Sequence, residues 1–143
     1  MARVTVSIDL PARVAEVWQD VERLETHAEW MADAESIDFA SDQRRGVGVV
    51  MRVLTKVGVL RTTDVIRVVV WEPPHRIGVI HEGLVTGIGE FRLEPVDGGT
   101  TFTWDEDLQF PWFMGGRLGG AVAAPILRWV WRRNLRQLAL RFD

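Results

Sequence analysis

The 143-residue chain contains no cysteine and no tyrosine, and Lys56 is its only lysine. The absence of cysteine excludes disulfides, thiolate metal ligands and a cysteine nucleophile. Because tyrosine is absent, no pocket of this protein can be lined by phenol hydroxyls, although 7 Trp and 6 Phe supply large apolar rings. The formal net charge of -3 argues against general nucleic-acid binding, and we predict no nucleic-acid partner.

The sequence also lacks long apolar runs and the usual ligand motifs. No run is long enough to cross a bilayer, and residues 3–9 alternate instead of forming an apolar leader, so we expect a cytoplasmic protein without an integral membrane segment. The three histidines do not have metal-ligand spacing, and no glycine-rich loop lies between a strand and a helix. We therefore predict neither a metal nor a cofactor.

Hydrophobic periodicity predicts a single α+β domain over residues 1–143. Residues 3–9 alternate as a half-buried strand does, and two short helices follow before Trp30. Alternation between residues 34 and 108 then predicts six antiparallel strands, with a hairpin turn at Asp97-Gly98-Gly99. The remainder has helical spacing, and Pro125 marks either a kink or the start of a long helix. The apolar stripe of this helix consists of Leu127, Trp131, Leu135, Leu138 and Phe142.

Three local segments resemble one known family. Residues 24–31 (LETHAEWM) are similar to the segment after its paired helices, residues 91–100 (FRLEPVDGGT) to one of its hairpins, and residues 127–135 to its C-terminal helix. On these motifs the chain resembles the START/polyketide cyclase-dehydrase-like superfamily, also called SRPBCC. The resemblance implies a helix-grip fold, in which a curved antiparallel sheet of about seven strands wraps around the long C-terminal helix. It also implies a cavity between sheet and helix for an apolar or aromatic molecule.

Strand parity predicts which side chains face this cavity. Arg and Lys mark outward positions, so residues of the opposite parity point inward. The resemblance places the cavity entrance at Trp30, and residues 110–116 form either a mobile lip or an apolar contact that leads into the long helix. The predicted ligand-binding residues are Trp30, Met51, Ile66, Val79, Gly87, Gly89, Phe91, Trp104, Phe113, Leu127 and Trp131. For Trp30, packing in the core is the alternative.

Gly87 and Gly89 place no side chains on the inward face of a central strand. They either leave room for a ligand or relieve crowding where the strand bends. If Phe91 pairs with Trp104, then Glu106 lies opposite Gly89. This register predicts that Glu106 lies beside the gap left by the glycines.

Three ionisable residues, Asp64, His81 and Glu106, fall on the apolar face and are the candidate catalytic residues. A turn that pairs Trp71 with Arg76 places His81 diagonally opposite Asp64, which could orient the imidazole. His81 and Glu106 would face each other two strand spacings of about 4.8 Å apart, with room for a flat ligand. The alternatives are a polar anchor for a ligand, a hydrogen-bonded core histidine, an Asp64–Arg pair, and a Glu106 that reaches solvent.

The expected function is binding, and in one version transport, of a hydrophobic or aromatic small molecule such as a lipid or polyketide. One alternative is a polyketide aromatase/cyclase or dehydratase with His81 as base and Glu106 as acid, against which the missing tyrosines argue. Another alternative is a non-catalytic protein-interaction module. A row of arginines on the long helix is either a solvated face or a surface for peripheral lipid contact. The sequence leaves open a homodimer.

Overall fold

The computed structural model describes residues 2–143. Seven antiparallel strands form one sheet in the order β1-β7-β6-β5-β4-β3-β2. The strands are β1 (Ala2–Leu10), β2 (Ala34–Phe39), β3 (Val50–Val57), β4 (Leu60–Glu72), β5 (Arg76–Glu82), β6 (Thr86–Val96) and β7 (Gly99–Gln109). The prediction of an α+β helix-grip fold with about seven strands is confirmed.

Two α-helices and two 3-10 helices complete the chain. Helix α1 (Val14–Val21) and the 3-10 helix Leu24–Glu29 connect β1 to β2, and the 3-10 helix Trp112–Met114 precedes helix α2 (Gly116–Leu140). Within residues 2–143, no helix has both the length and the apolar character needed to span a membrane.

Helix α2 begins well before Pro125, which lies inside it. The missing N–H of Pro125 leaves the carbonyl of Ala121 without its helical donor. Both residues are at least partly accessible, so water can solvate that carbonyl. Because α2 begins at Gly116, the interpretation of Pro125 as the start of the helix is wrong.

The core lies between the concave face of the sheet and the buried stripe of α2. Val4 and Phe102 from the sheet and Leu138 from α2 are 0% exposed, and Leu135 is 1% exposed. Helix α1 closes one end of this core, where Trp18 packs edge-on against Trp71 at 5.3 Å between ring centroids. The other end of the space between sheet and helix is not filled by side chains.

The β4–β5 hairpin departs from the expected register. The turn pairs Trp71 with Ile77, instead of with Arg76, and an irregularity between Val68 and Val70 restores the expected pairing of Ile66 with His81. This β-bulge at Val69 places one extra residue on β4 and changes which side chains point inward beyond it. Trp71 therefore joins the core packing, and the parity prediction holds for β4 only up to Val68.

Candidate functional site

A cavity of about 290 Å³ lies between the sheet and α2. Its walls are mostly apolar and come from β2 to β7, from α2 and from the segment that precedes each of β2 and α2. Of the predicted ligand-binding residues, those that line it are Met51, Ile66, Val79, Phe91, Trp104, Leu127 and Trp131. The three ionisable residues predicted from strand parity, Asp64, His81 and Glu106, line it as well.

Trp30 and Phe113 do not form part of the cavity wall. Trp30 is 2% exposed and packs in an aromatic cluster, with its ring centroid 6.0 Å from those of Phe91 and Trp104. Trp30 thus packs against two residues of the cavity wall without lining the cavity itself. Phe113 is 59% exposed on the short 3-10 helix, and its neighbour Met114 lines the cavity instead.

Gly87 and Gly89 allow close approach between β6 and β7, and neither lines the cavity. Gly87 has φ 145°, and a Cβ built on it would lie 2.0 Å from the backbone oxygen of Asp107. A Cβ on Gly89 would lie 2.5 Å from Oε1 of Glu106. The predicted register of Gly89 opposite Glu106 is confirmed. The space above Gly89 is occupied by the Glu106 side chain and is not left open for a ligand.

His81 and Glu106 form a direct pair, with 3.0 Å between Nε2 of His81 and Oε1 of Glu106. Their strands are two spacings apart, as predicted, because β6 lies between β5 and β7. The predicted room for a flat ligand between the two side chains is absent, because the Glu106 side chain extends over Gly89 and reaches His81. Their side chains are only 12% and 10% exposed. Burial lowers the pKa of His81, but the charge of Glu106 and the hydrogen bond to it raise the pKa more, and the net shift is upward from 6.5.

Asp64 lies on β4 beside this pair but has a different partner. Its Oδ2 accepts a hydrogen bond of 2.9 Å from the hydroxyl of Thr55, while its Oδ1 is buried without a partner. Burial raises the pKa of Asp64 above its ordinary value, and the bond from Thr55 opposes that shift. The structure thus brings Asp64, His81 and Glu106 to one cavity, with His81 bonded to Glu106.

A fourth ionisable group, Asp33, lines the cavity and was not predicted. Its Oδ1 accepts a bond of 2.7 Å from Nδ2 of Asn134, and its Oδ2 accepts one of 3.2 Å from Nε1 of Trp131. Burial raises the pKa of Asp33, and the bond from Asn134 opposes that shift. The available signal was Asn134, an amide between Trp131 and Leu135 on a helix face that is otherwise apolar.

His27 also lines the cavity, and the sequence did not indicate it as a functional residue. Its Nε2 lies 2.7 Å from the carbonyl oxygen of Val21, which can only accept, so Nε2 carries the proton. Burial lowers the pKa of His27, and the ring is neutral. Within residues 2–143, no group of three or more His, Cys, Asp or Glu side chains is arranged to hold a metal ion.

Comparisons with solved structures support this architecture. The protein TTHA0849 from Thermus thermophilus is 17% identical, with a TM-score of 0.82 over 98% of this chain and 96% of that chain. A START superfamily protein from Mycobacterium smegmatis is 14% identical, with a TM-score of 0.78 over 99% of this chain and 97% of that one. DynU16, from the dynemicin biosynthetic locus, is 22% identical, with a TM-score of 0.68 over 97% of this chain and 46% of that chain. At these identities the likeness shows the fold.

A comparison with curated protein sequences gave no match. The family model described as "Polyketide cyclase / dehydrase and lipid transport" matches residues 1–143. The predicted resemblance to the polyketide cyclase-dehydrase-like group is thereby confirmed. Because this match extends over all 143 residues, the chain belongs to the polyketide cyclase/dehydrase and lipid transport family.

Proposed function

We propose that residues 1–143 form a single binding domain, which holds a hydrophobic or aromatic small molecule in the cavity between the sheet and α2. The observation that supports this most directly is the cavity of about 290 Å³ with predominantly apolar walls. Well-packed cores leave few voids larger than a water molecule, so a space of this size is typical of ligand sites. Transfer of an apolar molecule from water into it is favourable in proportion to the area buried.

Occupation of the cavity can be tested with the neutral apolar dye Nile red and two tryptophan variants. Val79 lines the cavity, whereas its neighbour Ile80 is 36% exposed on the other face of β5. We expect saturable dye binding by the wild-type protein and binding weakened about tenfold or more in Val79→Trp, because the indole takes up ligand space. Ile80→Trp should bind like the wild type.

Circular dichroism and thermal unfolding establish that each variant is folded, and Ile66→Phe replaces Val79→Trp if the latter does not fold. The proposal fails if the wild-type protein shows no saturable binding. It also fails if a folded cavity variant binds the dye as tightly as Ile80→Trp does.

The His81–Glu106 pair favours a second candidate function, the cyclisation or dehydration of a polyketide chain. In dehydration of a β-hydroxy ketone, a carboxylate removes the α proton, the C–O bond breaks as the C=C bond forms, and an acid protonates the departing hydroxyl to give water. Because the pKa of His81 is raised, its imidazolium is suited to donate that proton, with Glu106 as acceptor. These roles are the reverse of those expected from the sequence.

The pH dependence of turnover distinguishes the two assignments. If His81 is the acid, kcat/KM for a soluble β-hydroxy ketone falls as pH rises through its pKa, which lies above 6.5. If His81 is the base, kcat/KM rises over the same interval. His81→Ala and Glu106→Gln should each reduce the rate about a hundredfold or more. A rate that neither variant changes would remove this candidate function.

A further inference from the structure

The polar groups around the cavity are mainly hydrogen-bond acceptors. Asp33, Asp64 and Glu106 contribute carboxylates to its wall. The chain carries 17 Lys and Arg residues, yet none of them is among the residues of the described range 2–143 that line the cavity. A negatively charged group inside would therefore meet negative side chains without a guanidinium or ammonium partner.

The histidine of the wall whose pKa is raised is already paired. His81 is paired with Glu106 at 3.0 Å, and the charge of Glu106 supports its protonation. Glu90 also borders the cavity, but its carboxylate is ion-paired with Arg76 and Arg92. Once these pairs are counted, the net charge of the side chains that line the cavity is zero or negative.

His27 adds a further acceptor. Because its Nε2–H donates to the carbonyl of Val21 and burial keeps the ring neutral, Nδ1 retains a lone pair. The imidazole therefore presents no positive charge to a ligand.

Two buried polar atoms on the residues of the cavity wall have no partner: Oδ1 of Asp64, an acceptor, and Nε1 of Trp104, a donor. Trp104 itself is 4% exposed. Both atoms are enclosed by neighbouring protein atoms, and Oδ1 of Asp64 lies against Gly83, so they add to the cost of burying polar groups but are not surfaces that a ligand contacts. A hydroxyl group can donate to acceptors of the cavity wall such as Nδ1 of His27, whereas a carboxylate has no proton to donate.

We propose that the cavity takes apolar molecules that carry a hydroxyl group, such as phenols or alcohols, and discriminates against those that end in a carboxylate or a phosphate. This inference rests on the proposed binding function and names the ligand class. An anionic end would lose its hydration inside an apolar cavity without gaining a cationic partner. A hydroxyl end loses less hydration and finds acceptors in the cavity wall.

Isothermal titration calorimetry with three probes of similar size tests the proposal: 4-hexylphenol, 4-hexylbenzoate and hexylbenzene at pH 7.5. At that pH the phenol is neutral, with an ordinary pKa of about 10, and the benzoate is ionised. We expect the phenol to bind about tenfold or more tightly than the benzoate, and more tightly than hexylbenzene. The ratio of the Kd of the benzoate to the Kd of the phenol should fall in Asp64→Asn, because this substitution removes one carboxylate from the cavity wall.

Asp38→Asn is the matched control, because Asp38 is exposed on β2 and its loss changes the net charge equally. The inference is overturned if the benzoate binds as tightly as the phenol, if hexylbenzene equals the phenol, or if Asp38→Asn narrows the discrimination as much as Asp64→Asn does. If neither the phenol nor hexylbenzene binds, the proposed binding function itself fails. The two failures are therefore distinguishable.

Discussion

Replacement of Trp131 by alanine is expected to lower the free energy of unfolding by about 3–5 kcal/mol, the range typical of large-to-small changes at buried aromatic residues. Trp131 is 4% exposed, and its ring stacks on that of Trp104 at 4.5 Å between centroids. Its Nε1–H also donates to the carboxylate of Asp33 at 3.2 Å. The alanine variant therefore loses packing on one side and leaves a buried carboxylate oxygen without its donor.

Two further variants separate these contributions in urea unfolding. Trp131→Phe keeps an aromatic ring but removes the N–H, and we expect it to lower the free energy of unfolding by about 1–3 kcal/mol. Trp129→Ala is the control on the same helix, since Trp129 is 59% exposed, and it should change stability by about 0.5 kcal/mol or less. A Trp131→Ala variant as stable as Trp129→Ala would contradict the described packing of α2 on the sheet.

Gly87→Ala is expected to lower the free energy of unfolding by about 3 kcal/mol or more, because backbone strain and overpacking act together. The φ of 145° at Gly87 is one that other residues rarely adopt, and the added methyl would lie 2.0 Å from the backbone oxygen of Asp107. Strands β6 and β7 would have to separate at this point. Urea unfolding and amide hydrogen exchange of β6 and β7 measure the effect.

Gly98→Ala is the matched control, because Gly98 also has a positive φ, of 84°, but no atom lies within 4 Å of a Cβ built there. We expect this change to lower the free energy of unfolding by about 1 kcal/mol, from backbone strain alone. If the two alanine variants were equally stable, the close approach of β6 and β7 at Gly87 would be incorrect.

The register of the β6–β7 hairpin could be predicted from sequence because it depends on a local turn. Val96 pairs with Gly99 around Asp97-Gly98, and this short connection leaves few alternative pairings. The pairing of Phe91 with Trp104, and with it the position of Glu106 opposite Gly89, follows from that turn. The turn residues therefore sufficed to predict the position of Glu106, one member of the pair with His81.

The distance between His81 and Glu106 could not be predicted from strand spacing. Strand parity gives the face on which a side chain starts, but it does not show that the Glu106 side chain extends over Gly89 and reaches His81. Asp33 was missed because its partner Asn134 is 101 residues away in sequence, and only tertiary packing brings the two together. Contacts of this kind depend on how α2 lies on the sheet, which no local pattern specifies.

The bulge at Val69 divides β4 into two parts that serve different neighbours. Before the bulge, Asp64 and Ile66 face the cavity, and after it Trp71 packs against Trp18 of α1. Because of the bulge, the residues that point inward follow one parity before Val69 and the opposite parity after it. We therefore expect substitutions at cavity-facing positions of the first part to change the cavity wall while the packing of Trp71 on Trp18 is kept.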